Sequence, residues 1–250
     1  MNKKNTLTIG YSTLANRVQN IKFLDSVSNL VVIQNPDSMQ IPKIDSEVKV
    51  LVLNSRGVTK SRNAVLTNTD SRYLLFGDDD ITFIESGIDS ALSYLESNPD
   101  ISILLLQAVD ETGKLRKPYP KNAHNLQLTN SAKAATYEML IRIDAIKAAG
   151  IRFDENFGAG AKNYLGDEYI FIADAIRSGL KGRFLPITIA VHPAESSGNL
   201  RNSIEDVAAR SKIFSRVFGV WAPVMRTLFI LKPPAKKFGL RNSIRFIFGK

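Results

Sequence analysis

Short, uninterrupted apolar runs punctuate the first two hundred residues: Leu7–Tyr11, Leu30–Gln34, Val48–Leu53, Tyr73–Gly77 and Ile101–Leu106. A strand with one wet face alternates polar and apolar side chains, so continuous runs demand cover on both faces. Helices packed on either side of a sheet supply that cover. The intervening stretches Leu14–Val27, Val58–Asn68 and Ile84–Glu96 are amphipathic enough to be those helices. The pattern predicts an α/β protein with a mixed, mostly parallel central sheet.

Further along, Asp110-Glu111-Thr112-Gly113 reads as a hairpin turn and Lys114–Lys121 as a polar, proline-bearing connection. Ala134–Ile143 reads as a strand, and Asp144–Ala149 as a short helix closed by Gly150. The Gly158–Asn163 segment, rich in small residues, is expected to be a mobile loop before a helix over Asp167–Ser178. Arg183–Pro186 and Ile187–Val191 read as two strands.

At 250 residues, 44% of them hydrophobic, the chain has apolar matter for one large domain, or one domain with an appendage. It contains no cysteine, which excludes disulfides, thiolate metal sites and cysteine nucleophiles. The start, Met1–Thr13, reaches polar residues after too short an apolar run for a signal peptide, and the expectation is a cytoplasmic protein. The net charge of +9 is unevenly placed: ten of the 33 basic residues follow Asp206 and no acidic residue does, so 23 basic face 24 acidic residues before that point. The expected organisation is a catalytic body over 1–203 and a basic, amphipathic helical extension over 204–250.

Four segments carry chemistry. Asp78-Asp79-Asp80 directly follows an apolar strand, and three adjacent carboxylates call for a compensating cation. Asp78 and Asp80, two residues apart, can share a hard divalent ion whose other ligands are phosphate oxygens. A solvated turn would also explain the triplet. Ser55–Asn63 follows another strand and opens a helix, placing Arg62 and Asn63 near free N–H groups that suit diphosphate or nucleobase oxygens; a simple capped helix start is the alternative. Asp167 and Glu168 begin a helix, where acids gain from the dipole or serve as a general base. His192 ends an apolar strand before Pro193, as a structural residue or as a metal ligand that favours manganese.

In this order the segments resemble a family 2 glycosyltransferase of the GT-A fold, a Rossmann-like, inverting, metal-dependent enzyme using nucleotide sugars. The resemblance spans about residues 5–195. It implies that Asp78, Asp80 and His192 hold Mn2+ or Mg2+, and that Glu168, or Asp167 beside it, is the base. It further implies that Tyr11, Asn35, Arg62, Asn63, Asp78 and Asp79 line the nucleotide-sugar pocket, with a UDP-sugar as the favoured donor. The acceptor would be a hydroxyl of a glycan or a lipid-linked molecule, as in bacterial-type surface polysaccharide synthesis. Gly158–Asn163 and Glu195–Ser203 would act as lids. Two departures stand out: Tyr11-Ser12-Thr13-Leu14 replaces the usual Pro-Thr-Tyr-Asn, and the second strand ends Gln34-Asn35-Pro36-Asp37.

Competing readings remain. Asp78-x-Asp80-x-Thr82 also matches the haloacid-dehalogenase phosphatases, with Asp78 as nucleophile. A non-catalytic nucleotide-sugar-binding module is the third. For the tail, one reading is a helical subdomain packed on the sheet. Another is attachment of residues 214–250 to an anionic membrane, peripheral on the inner face of the plasma membrane. Nucleic acid is not expected, because the neutral body offers no basic groove.

Overall fold

A computed structural model describes residues 3–194, 204–231 and 239–249. In chain order the elements are α1 (Lys3–Thr6), β1 (Leu7–Leu14), a 3₁₀ turn (Ala15–Asn20), β2 (Ser28–Gln34), β3 (Lys49–Leu53), α2 (Val58–Asn68), β4 (Tyr73–Gly77), β5 (Thr82–Phe83) and α3 (Glu85–Ser97). They continue with β6 (Ile101–Val109), β7 (His124–Asn125), a 3₁₀ turn (Thr136–Glu138), β8 (Met139–Arg142), α4 (Ile143–Ala148), α5 (Asp167–Arg177) and β9 (Lys181–Val191). The tail holds α6 (Ile204–Phe218), a 3₁₀ turn (Gly219–Trp221), α7 (Ala222–Ile230) and α8 (Gly239–Phe248).

The strands form one sheet in the order β3-β2-β1-β4-β8-β6-β9-β5, with β7 added beside β9. Strands β3, β2, β1 and β4 are mutually parallel, and β6 runs parallel to β9; β8 enters antiparallel between β4 and β6. The apolar runs divide by parity. Leu7, Ile9, Tyr11, Val31, Ile33, Tyr73 and Leu75 face one core, with Ile88, Ala91 and Leu95 of α3. Leu30, Val32, Leu74 and Phe76 face the other, with Val65 of α2 and Phe171 and Ile172 of α5. Each such burial contributes about 1.5–3 kcal/mol. Gly10 lets α2 lie close on β1: a Cβ there would come within 2.1 Å of Val65 Cγ1.

Several sequence expectations need correction. The helix over Leu14–Val27 is only a 3₁₀ turn, because its buried residues Ala15, Val18 and Ile21 recur every third position, the 3₁₀ period. The run ending at Leu53 is not covered on both faces. As β3 it is the sheet edge, with Val50 and Val52 exposed. The strand over Ala134–Ile143 is confined to Met139–Arg142, since Glu138 turns inward to pair with Lys117 at 2.5 Å and to accept from the Tyr119 hydroxyl. Arg183–Pro186 and Ile187–Val191 are a single strand, and the register against β6 slips around Pro186, which has no N–H for the ladder. The Glu195–Ser203 loop lies outside the described residues.

Candidate functional site

Parallel β1, β2 and β4 end at one rim of the sheet, and the aspartate triplet leaves β4 there. Its three side chains diverge. Asp79 turns inward, accepting from Thr13 Oγ1 at 2.6 Å and pairing with Arg17. Burial pushes its pKa up while Thr13 and Arg17 pull it back. Asp78 faces Arg62, with Oδ1 3.4 Å from Nη2. Burial raises its pKa too, against Arg62 and with the like charges of Asp80, Glu168 and Asp79 adding. Asp80 is the most exposed of the three, with Arg17 Nη2 at 3.8 Å and His192 Nε2 at 3.9 Å. The compensating cation that the sequence called for is thus partly supplied by two arginines.

Arg62 is the hub. It is buried, donates to Asp167 Oδ2 at 2.5 Å, lies 3.7 Å from Glu168 Oε1, and sits over the Phe153 ring at 5.8 Å. Gly166, with φ +93°, turns the chain so that both acids start α5 at this point. Burial, reinforced by the Glu168 charge and opposed by Arg62, pushes the Asp167 pKa up to about 7. Glu168 keeps contact with solvent and accepts from Thr136 Oγ1 at 2.8 Å.

His192 is anchored by its own N–H to the Val109 carbonyl, and its ring lies 5.1 Å from that of Tyr137. Its Nδ1 is 2.8 Å from the Pro193 carbonyl oxygen. A carbonyl only accepts, so Nδ1 carries a proton and Nε2 is turned toward Asp80.

The hydrogen bonds of Tyr11, Asn35 and Asn63 go to other partners than the acids of this cluster. Tyr11 is fully buried beneath Gly77, packed on Phe23 and Phe83, with its hydroxyl donating to the Lys22 carbonyl at 3.3 Å. The Asn35 amide bridges both ways to the backbone of Met39 at 2.8 Å. Asn63 clamps the next loop, accepting from Phe153 N at 2.9 Å and donating to the Phe153 carbonyl and Glu155, each at 3.0 Å.

The start of α2 is not an open set of donors. Gly57 N–H goes to Gln34 Oε1 at 2.7 Å, and Val58 N–H to the Ala159 carbonyl at 2.9 Å. That second bond belongs to Gly158–Asn163, which is a tied turn against α2: Gly158 N–H reaches the Asn163 carbonyl at 2.7 Å and Asn163 N–H the Asn156 carbonyl at 3.0 Å. Thr13, Arg17, Thr136 and Tyr137 were missed from sequence. They belong to no local motif, and only the sheet brings them to the acids.

Among the described residues, cavities lie at both ends of β2. One of about 360 Å³, lined by Lys4, Asp25, Asn29 and Glu47, lies at the opposite end of β2, away from the acids. A smaller one of about 70 Å³, lined by Asn16, Asn35, Asp37 and Arg56, lies at the rim. Among the described residues no group of three or more His, Asp or Glu side chains converges to hold a metal ion unaided.

Comparison with solved structures decides the fold. The chain is similar to the Staphylococcus aureus TarS 1–349 structure in complex with UDP-GlcNAc, with TM-score 0.61 and 14% identity over 98% of this chain and 79% of that one. It is also similar to the mannosyltransferase PcManGT from Pyrobaculum calidifontis in complex with GDP-Man and Mn2+, with TM-score 0.56 and 11% identity over 96% of this chain and 73% of that one. The fold is GT-A. Against the longer TarS structure, at TM-score 0.59 and 13% identity, 97% of the chain is matched but it spans just over half (55%) of that protein. No protein-family profile and no curated protein sequence matches. In the GT-A frame, the Asp78–Asp80 rim, the α5 acids and His192 share one edge of the sheet.

Proposed function

We propose that the chain is an inverting glycosyltransferase that moves a sugar from a nucleotide-diphosphate donor, with UDP-sugars favoured, to a hydroxyl of a glycan or lipid-linked acceptor. The observation that carries this is convergence: β4, α5 and the residue after β9 bring Asp78, Asp80, Glu168 and His192 to one rim, with Arg62 linking Asp78 to Glu168. Complexes of fold relatives with UDP-GlcNAc, and with GDP-Man and Mn2+, support the donor class. A lipid-linked acceptor in surface polysaccharide synthesis, met at the cytoplasmic face of the plasma membrane, fits the exposed apolar tail.

The residues present fit Mn2+ or Mg2+. His192 Nε2 and the Asp80 carboxylate face each other across 3.9 Å, while the second ring nitrogen is held by a carbonyl, as in metal-binding histidines. Asp80 and His192, with Asp78 alongside, would hold the ion, donor phosphates completing its shell. When bound, it supplies positive charge against the departing diphosphate. Arg62 keeps Asp167 and Asp78 in place. Glu168, oriented by Thr136, takes the proton of the acceptor hydroxyl as that oxygen attacks the anomeric carbon from the face opposite the diphosphate. Asp167, buried against Arg62, is less accessible for that task. The rim cleft beside Asn35 and Arg56 would receive the nucleoside.

Thermal-shift titration with UDP and GDP, with and without Mn2+, followed by turnover of UDP-GlcNAc, tests the reading. Metal-dependent stabilisation and transfer are expected. Glu168→Gln should keep nucleotide binding and lose transfer by about 10²–10⁴-fold. Nucleotide binding without turnover would leave a non-catalytic module. Phosphate release from simple monoesters through an aspartyl-phosphate would instead mark a phosphatase, a reading that no contact of Asp78 favours.

A further inference from the structure

Helices α6, α7 and α8 enclose a small aromatic core of Phe214, Phe229 and Phe246, with ring centroids 5.3–5.6 Å apart. Their outer sides stay bare. Trp221, Val224, Leu228 and Leu231 recur along one side of α7 and its ends, and Leu240, Ile244 and Phe248 recur every fourth residue on α8. Trp221 is 67% exposed, Leu240 80% and Phe248 69%. Scattered exposed apolar residues are ordinary, but an exposed apolar stripe on each of two neighbouring helices is not. Arg241 and Arg245 immediately follow Leu240 and Ile244, Lys212 is exposed on α6, and no acidic residue follows Asp206.

We propose that this face is an interfacial anchor that lies in the headgroup region of an anionic bilayer. The apolar side chains reach the acyl boundary, and Arg241, Arg245 and Lys212 meet lipid phosphates at about 1 kcal/mol each. The uniform positive charge that suits such a surface opposes pairing with the tail of a second copy. Glu205–Ile230, 26 residues long, holds an 18-residue stretch of mean hydropathy 1.3, long and apolar enough to cross a membrane. Its contacts keep it on the domain: Arg216 reaches Asp154 at 2.8 Å and Asp174 at 2.7 Å, and the buried Arg226 donates to the Ser211 carbonyl at 2.5 Å and the Ile247 carbonyl at 3.1 Å. A spanning helix would drag both cations into hydrocarbon. The anchor deepens the lipid-linked acceptor reading, but its test needs no transfer activity.

Trp221 is the only tryptophan, so its emission reports this face directly. The full chain is titrated with vesicles of phosphatidylglycerol and phosphatidylcholine, and of phosphatidylcholine alone, with flotation in parallel. A blue shift and co-flotation confined to anionic vesicles, weakened by salt, are expected. The pairs Leu240→Ser with Phe248→Ser, and Arg241→Glu with Arg245→Glu, should each lower partitioning by about tenfold or more while circular dichroism stays unchanged. Four results would overturn the proposal: unchanged emission without flotation, equal binding to neutral vesicles, retention through alkaline carbonate as for a spanning helix, or a vesicle-free blue shift accompanying a doubled mass. Loss of transfer with intact vesicle binding would count against the enzyme reading alone.

Discussion

Arg62 concentrates the electrostatics of the rim in one side chain. It neutralises Asp167 at 2.5 Å and Asp78 at 3.4 Å, and among the described residues no other buried cation pairs with either. Arg62→Met should therefore cost about 3–5 kcal/mol, because it strands buried carboxylates, and urea denaturation would read the loss. Asp167 makes a pH prediction. Its folded pKa of about 7 lies above the unfolded value near 4, so its contribution is complete below about pH 4 and fades as pH rises through 7. Wild type should lose stability relative to Asp167→Asn between about pH 4 and 7; a constant difference would show that Arg62 keeps the carboxylate ionised throughout. His192 shows how one carbonyl decides geometry, since Pro193 holds Nδ1 and so turns Nε2 toward Asp80.

At the scale of elements, the entry to α5 is the sensitive joint. Gly166 has φ +93°, and an added Cβ would lie 2.4 Å from Ile213 Cδ1 on α6. Gly166→Ala should destabilise by about 1–3 kcal/mol from backbone strain, with the α6 clash adding to it, lowering the melting temperature. Turnover should fall as well, since Asp167 and Glu168 follow directly. The boundaries of α2 and β4 were legible because a clean apolar pattern met clear breakers. The stretch after β1 was not: a three-residue burial period and a helical one look alike over so few turns. The strand expected from Ala134 was cut short by Glu138, whose partners Lys117 and Tyr119 come from a distant connection.

For the whole molecule, the tail is joined to the body through Arg216, which clasps Asp154 ahead of α5 and Asp174 within it, and through Ile213 and Val217 packed on Tyr169 and Ile170. Arg216→Ala should speed amide hydrogen exchange in α6, α7 and α8 while the strands of the sheet keep their protection. Uniform acceleration would instead make body and tail one cooperative unit. One side of the tail packs on α5, and the other leaves apolar and basic groups exposed.

Apolar runs buried on both faces determined the α/β class, and adjacent carboxylates after a strand determined where charge had to be compensated; both are properties of neighbours along the chain. The tertiary structure alone decided which aspartate turns inward, that Arg17, Thr13 and Thr136 join the acids, and that Tyr11, Asn35 and Asn63 are held by other contacts. Those outcomes depend on side chains far apart in the chain, Arg62 and Asp167 being 105 residues apart, meeting at one rim. Which groups meet there follows from strand order and helix docking, and local spacing carries no record of either.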